Sequence, residues 1–251
     1  MILDLFLSSF LLSVVLVGIH AYFGREIVKR GIIFTDIAVA QFSGVGIAFS
    51  LIVFHGEYTY AFSLIFGLFA SFLIAISQKL KEYSEAFIGL LYALGFSLTV
   101  LLLSMSAHGM EELKKLTASD ILFVSMEEVI KTAGIYTVLG ILLYLRRYIS
   151  GILRELSFFA LFSITLASSV KLAGVLVVFS LLVSPALVSL LLGRGLVFAW
   201  IWGSLWSFLA IALSFWLDLP TGYSLVFLQA LVGLMTFFYR LLVSSYFHAG
   251  S

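Results

Sequence analysis

Charge is scarce in this chain. Only 11% of its 251 residues are Asp, Glu, Lys or Arg, and 63% are hydrophobic; an ordinary soluble domain carries about 25% charged residues, spread over its surface. The main solvent is therefore lipid. Cysteine is absent, which excludes disulfides and thiolate metal ligands. The net charge of +1 lacks the basic face of a nucleic-acid binder. Catalytic signatures are missing as well: there is no G-x-x-x-x-G-K-[ST] phosphate loop, no H-E-x-x-H and no G-x-S-x-G. If ATP drives this protein, another chain binds it.

What the chain does have is long apolar runs. A bilayer core offers no water to backbone N–H and C=O groups, so a lipid-exposed chain must be helical or a closed barrel. Unbroken runs select helices, because barrel strands alternate. A span needs roughly 20 apolar residues, and runs of about that length occupy 2–23, 32–54, 58–77, 86–107, 129–145, 196–217 and 224–243. The stretch 158–192 is longer: either two short helices turning near Lys171 to Gly174, or one span plus a broken piece at Pro185, which removes a helical hydrogen bond. The reading is an all-α polytopic bundle of eight or nine transmembrane helices forming one domain over residues 1–251. The first run reads as a span rather than a cleaved signal peptide.

Orientation follows from Lys and Arg in short loops. Arg25, Lys29 and Arg30, then Lys79 and Lys81, then Arg146, Arg147 and Arg154 mark cytoplasmic loops in the inner (plasma) membrane, whereas His55-Gly56-Glu57 and Asp218-Leu219-Pro220 mark outer ones. The segment 110–131 dissents with Lys114, Lys115 and Lys131, and 113–124 reads as an amphipathic stretch on the outer surface.

Ionisable residues inside spans are costly and commonly functional. The candidates are Asp4, His20, Asp36 and Lys171, with Gln41 as a neutral polar companion. His20 fits a buried histidine satisfying a carbonyl, and Lys171 fits a snorkelling or paired cation. Asp36 is open to two readings: a helix cap or partner of Lys29 or Arg30, or a group lining a translocation path. Around it, Ala38, Ala40, Ser43, Gly44 and Gly46 recur at three- and four-residue spacing, which lets a neighbouring helix approach closely. Packing alone explains the glycines. It does not explain Asp36 and Gln41 on a protein-facing helix, where a substrate path needs polar groups.

The run from Gly174-Val175-Leu176 to Ser184-Pro185-Ala186 resembles the signature of the zinc, manganese and iron ABC permeases, the ZnuB-like family. Other pieces resemble that family in the same order: residues 30–46 with Asp36, the stretch Ser84-Glu85-Ala86 to Gly89, residues 118–123 with Ser125, and Asp218-Leu219-Pro220-Thr221-Gly222. The resemblance runs nearly the full length. It implies a homodimer of permease chains, a cytoplasmic ATP-binding subunit and an extracytoplasmic metal-binding protein. ATP is then used through the partner, a divalent metal ion is the substrate, and this chain holds no cofactor and is not itself an enzyme.

Two departures define a divergent branch. The family's Asp of span two is followed four residues later by His, and both are held to line the metal path; here Asp36 matches but position 40 is Ala40. Gln41 lies about 100° further round the helix and offers an amide oxygen in place of imidazole. The family's longer cytoplasmic segment after span five is also shortened, the chain passing from Arg147 through Arg154 and Glu155 into Phe158. With oxygen donors dominant, the substrate tilts toward manganese or iron(II) over zinc. The rival classes are a secondary transporter or channel without an ATPase, and a membrane scaffold or intramembrane enzyme, for which Asp36 alone supplies no constellation.

Overall fold

The computed structural model describes residues 2–106, 109, 111 and 121–248. Among these there are no strands and nine α-helices: α1 (Ile2–Arg30), α2 (Thr35–Phe54), α3 (Thr59–Ser77), α4 (Ser84–Leu103), α5 (Met126–Leu145), α6 (Gly151–Ala173), α7 (Val175–Leu191), α8 (Leu196–Leu217) and α9 (Thr221–His248). Seven stretches are long and apolar enough to cross a membrane; one of them, Thr59–Leu103, contains both α3 and α4, and α7 is a shorter apolar helix. The chain is the multi-pass α-helical membrane protein that its composition requires.

Two breaks set the pass count. Leu80 leaves the helical region (φ −113°, ψ 65°) inside the tight turn Gln78–Tyr83, and the Ser84 hydroxyl closes that turn by donating to the Ser77 carbonyl at 2.8 Å. The long apolar stretch divides at Gly174, whose φ of 81° and ψ of 160° form a conformation essentially confined to glycine. The two-helix reading of 158–192 therefore holds. Pro185 lies inside α7 without ending it.

Several helices outrun their apolar runs. α1 continues through Arg25 to Arg30, expected as loop, because Glu26 pairs with Lys29 at 3.9 Å and with Arg30 at 4.0 Å along the same helix and because cations suit a C-terminal turn. α6 likewise starts at Gly151 rather than Phe158, and Glu155 in that added length binds Arg30 at 2.5 Å. α2 starts at Thr35 rather than Ile32, so Asp36 lies in the first helical turn and not a full turn inside. Most of the amphipathic stretch 113–124 lies outside the described residues. Its end forms a short turn at Ile121–Phe123, followed by a Ser125/Glu128 capping box that starts α5.

Cross-helix bonds sort the helix ends into two faces. On one, Arg25 donates to the Ser189 hydroxyl and the Arg194 carbonyl, Arg30 meets Glu155, and Arg146 reaches Tyr22; the positive-inside rule makes this face cytoplasmic. On the other, Ser9 reaches the Ile121 carbonyl and Ser214 meets Thr221 across the Asp218 turn. Asp218 caps α8 in the left-handed conformation, which Asp tolerates.

α7 is the centre of the second half. Side chains added at Gly24 of α1 or Gly203 of α8 would strike the Leu182 backbone and the Pro185 ring respectively, so both helices lie directly against α7. From α9, the Gln229 carbonyl accepts from Ser184 at 2.6 Å. Phe23, Phe158 and Phe162 fill the adjoining core without solvent exposure. The apolar side chains exposed on α4, α5, α8 and α9 face lipid, where they need no cover.

Candidate functional site

The polar residues singled out in the sequence fall into two groups. His20 is fully buried in α1. Its Nδ1 lies 2.8 Å from the Leu16 carbonyl and its Nε2 3.2 Å from the Ser169 hydroxyl, which also meets the Tyr136 hydroxyl at 2.5 Å. Nδ1–H therefore donates to the carbonyl and Nε2 accepts, a closed network joining α1, α5 and α6. Lys171 is exposed in the last turn of α6, where a cation meets the helix dipole favourably. Asp4 is exposed at the start of α1.

Asp36 behaves differently. It is 2% exposed, and its Oδ1 is buried without a hydrogen-bond partner. The cap position belongs to Phe34, whose own side chain makes no cap hydrogen bond. Lys29 and Arg30 are held by Glu26 and Glu155, so among the described residues neither pairs with Asp36.

The helix carries this polar face onward. Ser43 is one heptad after Asp36, within about 20° on the helical wheel, and its Oγ is also buried and unpartnered. A Cβ added at Gly67 of α3 would lie 2.5 Å from Ser43 Oγ and 2.9 Å from Ser163 Oγ of α6. The Ser163 hydroxyl is likewise buried without a partner. Ser43, on the face that also bears Asp36, thus looks into the junction of α2, α3 and α6. Ala40, where the resemblance leads one to expect His, is 3% exposed and about 40° from Asp36.

Gln41 is not brought to that face. Five residues place it about 140° round the helix from Asp36; it is half-buried, and its Cβ is 3.1 Å from a Cβ built at Gly95 of α4. Sequence reasoning gave no role to Glu85, on α4. Its Oε1 accepts the Phe34 N–H at 3.4 Å, capping α2 from a neighbouring helix, while its Oε2 is buried and unpartnered. Among the described residues no three His, Asp or Glu side chains gather into a metal-binding group.

Residues 2–152 and 148–240 match the ABC 3 transport family. The chain belongs to that family. Its members are membrane permease subunits of ABC transporters, and the resemblance drawn from the motifs to the metal ABC permeases holds. The match comes in two pieces that overlap at 148–152, where the α5–α6 loop runs into the first turn of α6. The chain is 27% identical over 267 residues to the "Probable iron transport system membrane protein" of Haemophilus influenzae, covering 94% of this chain and 90% of that one. Its fold is similar to that of "PsaBC from Streptococcus pneumoniae in complex with Fab", with a TM-score of 0.72, 19% identity and coverage of 92% and 91%.

Proposed function

We propose that this chain is the permease subunit of an ABC importer for a divalent metal ion, with iron(II) first among iron, manganese and zinc. The observation that carries this reading is the Asp36 carboxyl, buried in a protein-facing helix with one oxygen unpartnered. A hydrated dication cannot cross hydrocarbon, and a path must supply ligands weak enough to release it. Oxygen donors at Asp36, Ser43 and Ser163 suit iron(II) or manganese better than zinc, and the iron transport name of the Haemophilus influenzae relative supports iron. With no three-ligand cluster among the described residues, two permease chains would contribute one Asp36 each. Gln41 belongs to the path only if it runs between α2 and α4.

The ATP-binding subunit docks on the cytoplasmic face and the metal-binding protein on the outer face. Arg25 and Arg30 are engaged within the chain, so docking falls to the α3–α4 and α5–α6 loops, where Leu80, Tyr83, Tyr148 and Leu153 are exposed beside Lys79 and Arg154. Tagged protein in mild detergent should bring down an ATPase subunit and a second copy of itself, and the assembly in proteoliposomes should take up radioiron only with ATP. A homogeneous monomer across several detergents, or uptake driven by a proton gradient after ATP depletion, contradicts the reading.

A further inference from the structure

The cytoplasmic end of α5 holds a charge without a counter-charge among the described residues. Arg146 is 5% exposed, and its guanidinium lies over the Phe158 ring at 4.8 Å. Arg30 sits over the same ring at 4.6 Å, but Arg30 has Glu155 and Glu26. Among the described residues Arg146 has no such carboxylate. Its Nη2 donates to the Tyr22 hydroxyl at 3.4 Å, a weak hold, and its Nη1 is buried with no partner. An unpaired guanidinium at a membrane edge calls for an anion.

Tyr22 is also a wall of a trough. A space of about 480 Å³ runs between α1, α5 and α8, with Tyr22 and Tyr144 at its cytoplasmic end. Gly18, Thr137 and Gly140 leave it open, and a Cβ at Gly140 would meet nothing within 4 Å. The trough follows residues 14–22 of α1, about 12 Å of helix, and the Trp200 indole closes it by donating to the Val14 carbonyl at 2.9 Å. At the mouth Arg147 is exposed and lies over the Tyr144 ring at 3.7 Å.

We propose that this trough binds one acyl chain of an anionic phospholipid of the cytoplasmic leaflet, with the phosphate between Arg146 and Arg147. The charge selects the lipid. Basic pockets between helices on the cytoplasmic side hold anionic headgroups, and both guanidinium groups adjoin the cytoplasmic end of the trough, Arg146 through Tyr22 and Arg147 over Tyr144. The size selects a chain over a helix: a helix about 10 Å across needs roughly twice this volume over the same length, so a second copy of the protein does not fit.

Native mass spectrometry of the full chain, titrated with phosphatidylglycerol or phosphatidylcholine, tests the proposal. Wild type should retain phosphatidylglycerol at least about fivefold better, the worth of one basic residue against an anionic lipid. Arg146→Gln and Arg147→Gln should each lower that preference about fivefold, and Arg146→Lys should keep most of it. Gly140→Leu, at a position open enough to preserve folding, should lower retention of both lipids by filling the trough. Equal retention of the two lipids by wild type, or unchanged preference in Arg147→Gln, overturns the assignment. So does loss of the ATPase subunit or of the second copy in Arg146→Gln with lipid retention intact, which would give the charge to a protein partner.

Discussion

α2 and α7 are both rich in small residues and both buried, yet they treat their polar atoms in opposite ways. In α7, Ser180 donates to the Val177 carbonyl, Ser184 to the Gln229 carbonyl of α9, and Ser189 to the Ala186 carbonyl. In α2, Asp36 Oδ1 and the hydroxyls of Ser43 and Ser50 have no partner. An unsatisfied polar group in a hydrocarbon environment costs free energy, so closure marks α7 as the structural centre. Under the proposed function, the unused ligands of α2 belong to the helix that meets the substrate.

Substitutions of the bonded polar residues and tightly packed glycines of α7 and its neighbours should therefore damage folding, and those of the unpartnered polar residues of α2 should spare it. The largest loss is expected for Gly24→Val, which forces a side chain into the Leu182 backbone: membrane yield should fall severely, and wild-type yield would remove α7 from the centre. Gln229→Leu gives up bonds to the Gly203 carbonyl at 2.8 Å and to Ser207 at 3.1 Å, costing about 1–2 kcal/mol in thermal unfolding in detergent. Ser184→Ala should cost about 1 kcal/mol or less by the same assay. Ser43→Ala gives up no bond, so stability should stay within about 0.5 kcal/mol of wild type or rise; a loss as large as that of Gln229→Leu would mean that α2 is as closed as α7.

Much of this was legible in the sequence, and its limits have physical causes. The breaks at Gly174 and around Lys79 to Lys81 were visible because glycine and charge interrupt hydropathy directly. The ends of α1 and α6 were not, because a hydropathy window stops at the first charges while helix pairs such as Glu26 with Arg30 carry the chain onward. The burial of Asp36 is tertiary, and no local pattern reports it. The separation of Asp36 from Gln41 was available from helical spacing alone. Glu85 sat within a recognised motif, but its partner Phe34 is 51 residues away, and no local pattern joins them. Arg146 read as a topology signal because its burial against Phe158 is tertiary.

The most direct test of the account is metal uptake by Asp36→Asn in proteoliposomes of the assembled transporter, at matched protein levels and limiting metal. Asparagine keeps the size and hydrogen bonding of the side chain and removes the charge that a dication meets. The account predicts uptake near background, with insertion, dimerisation and thermal unfolding as in wild type. Wild-type uptake would contradict it, and so would a loss of uptake that only follows a loss of folded protein.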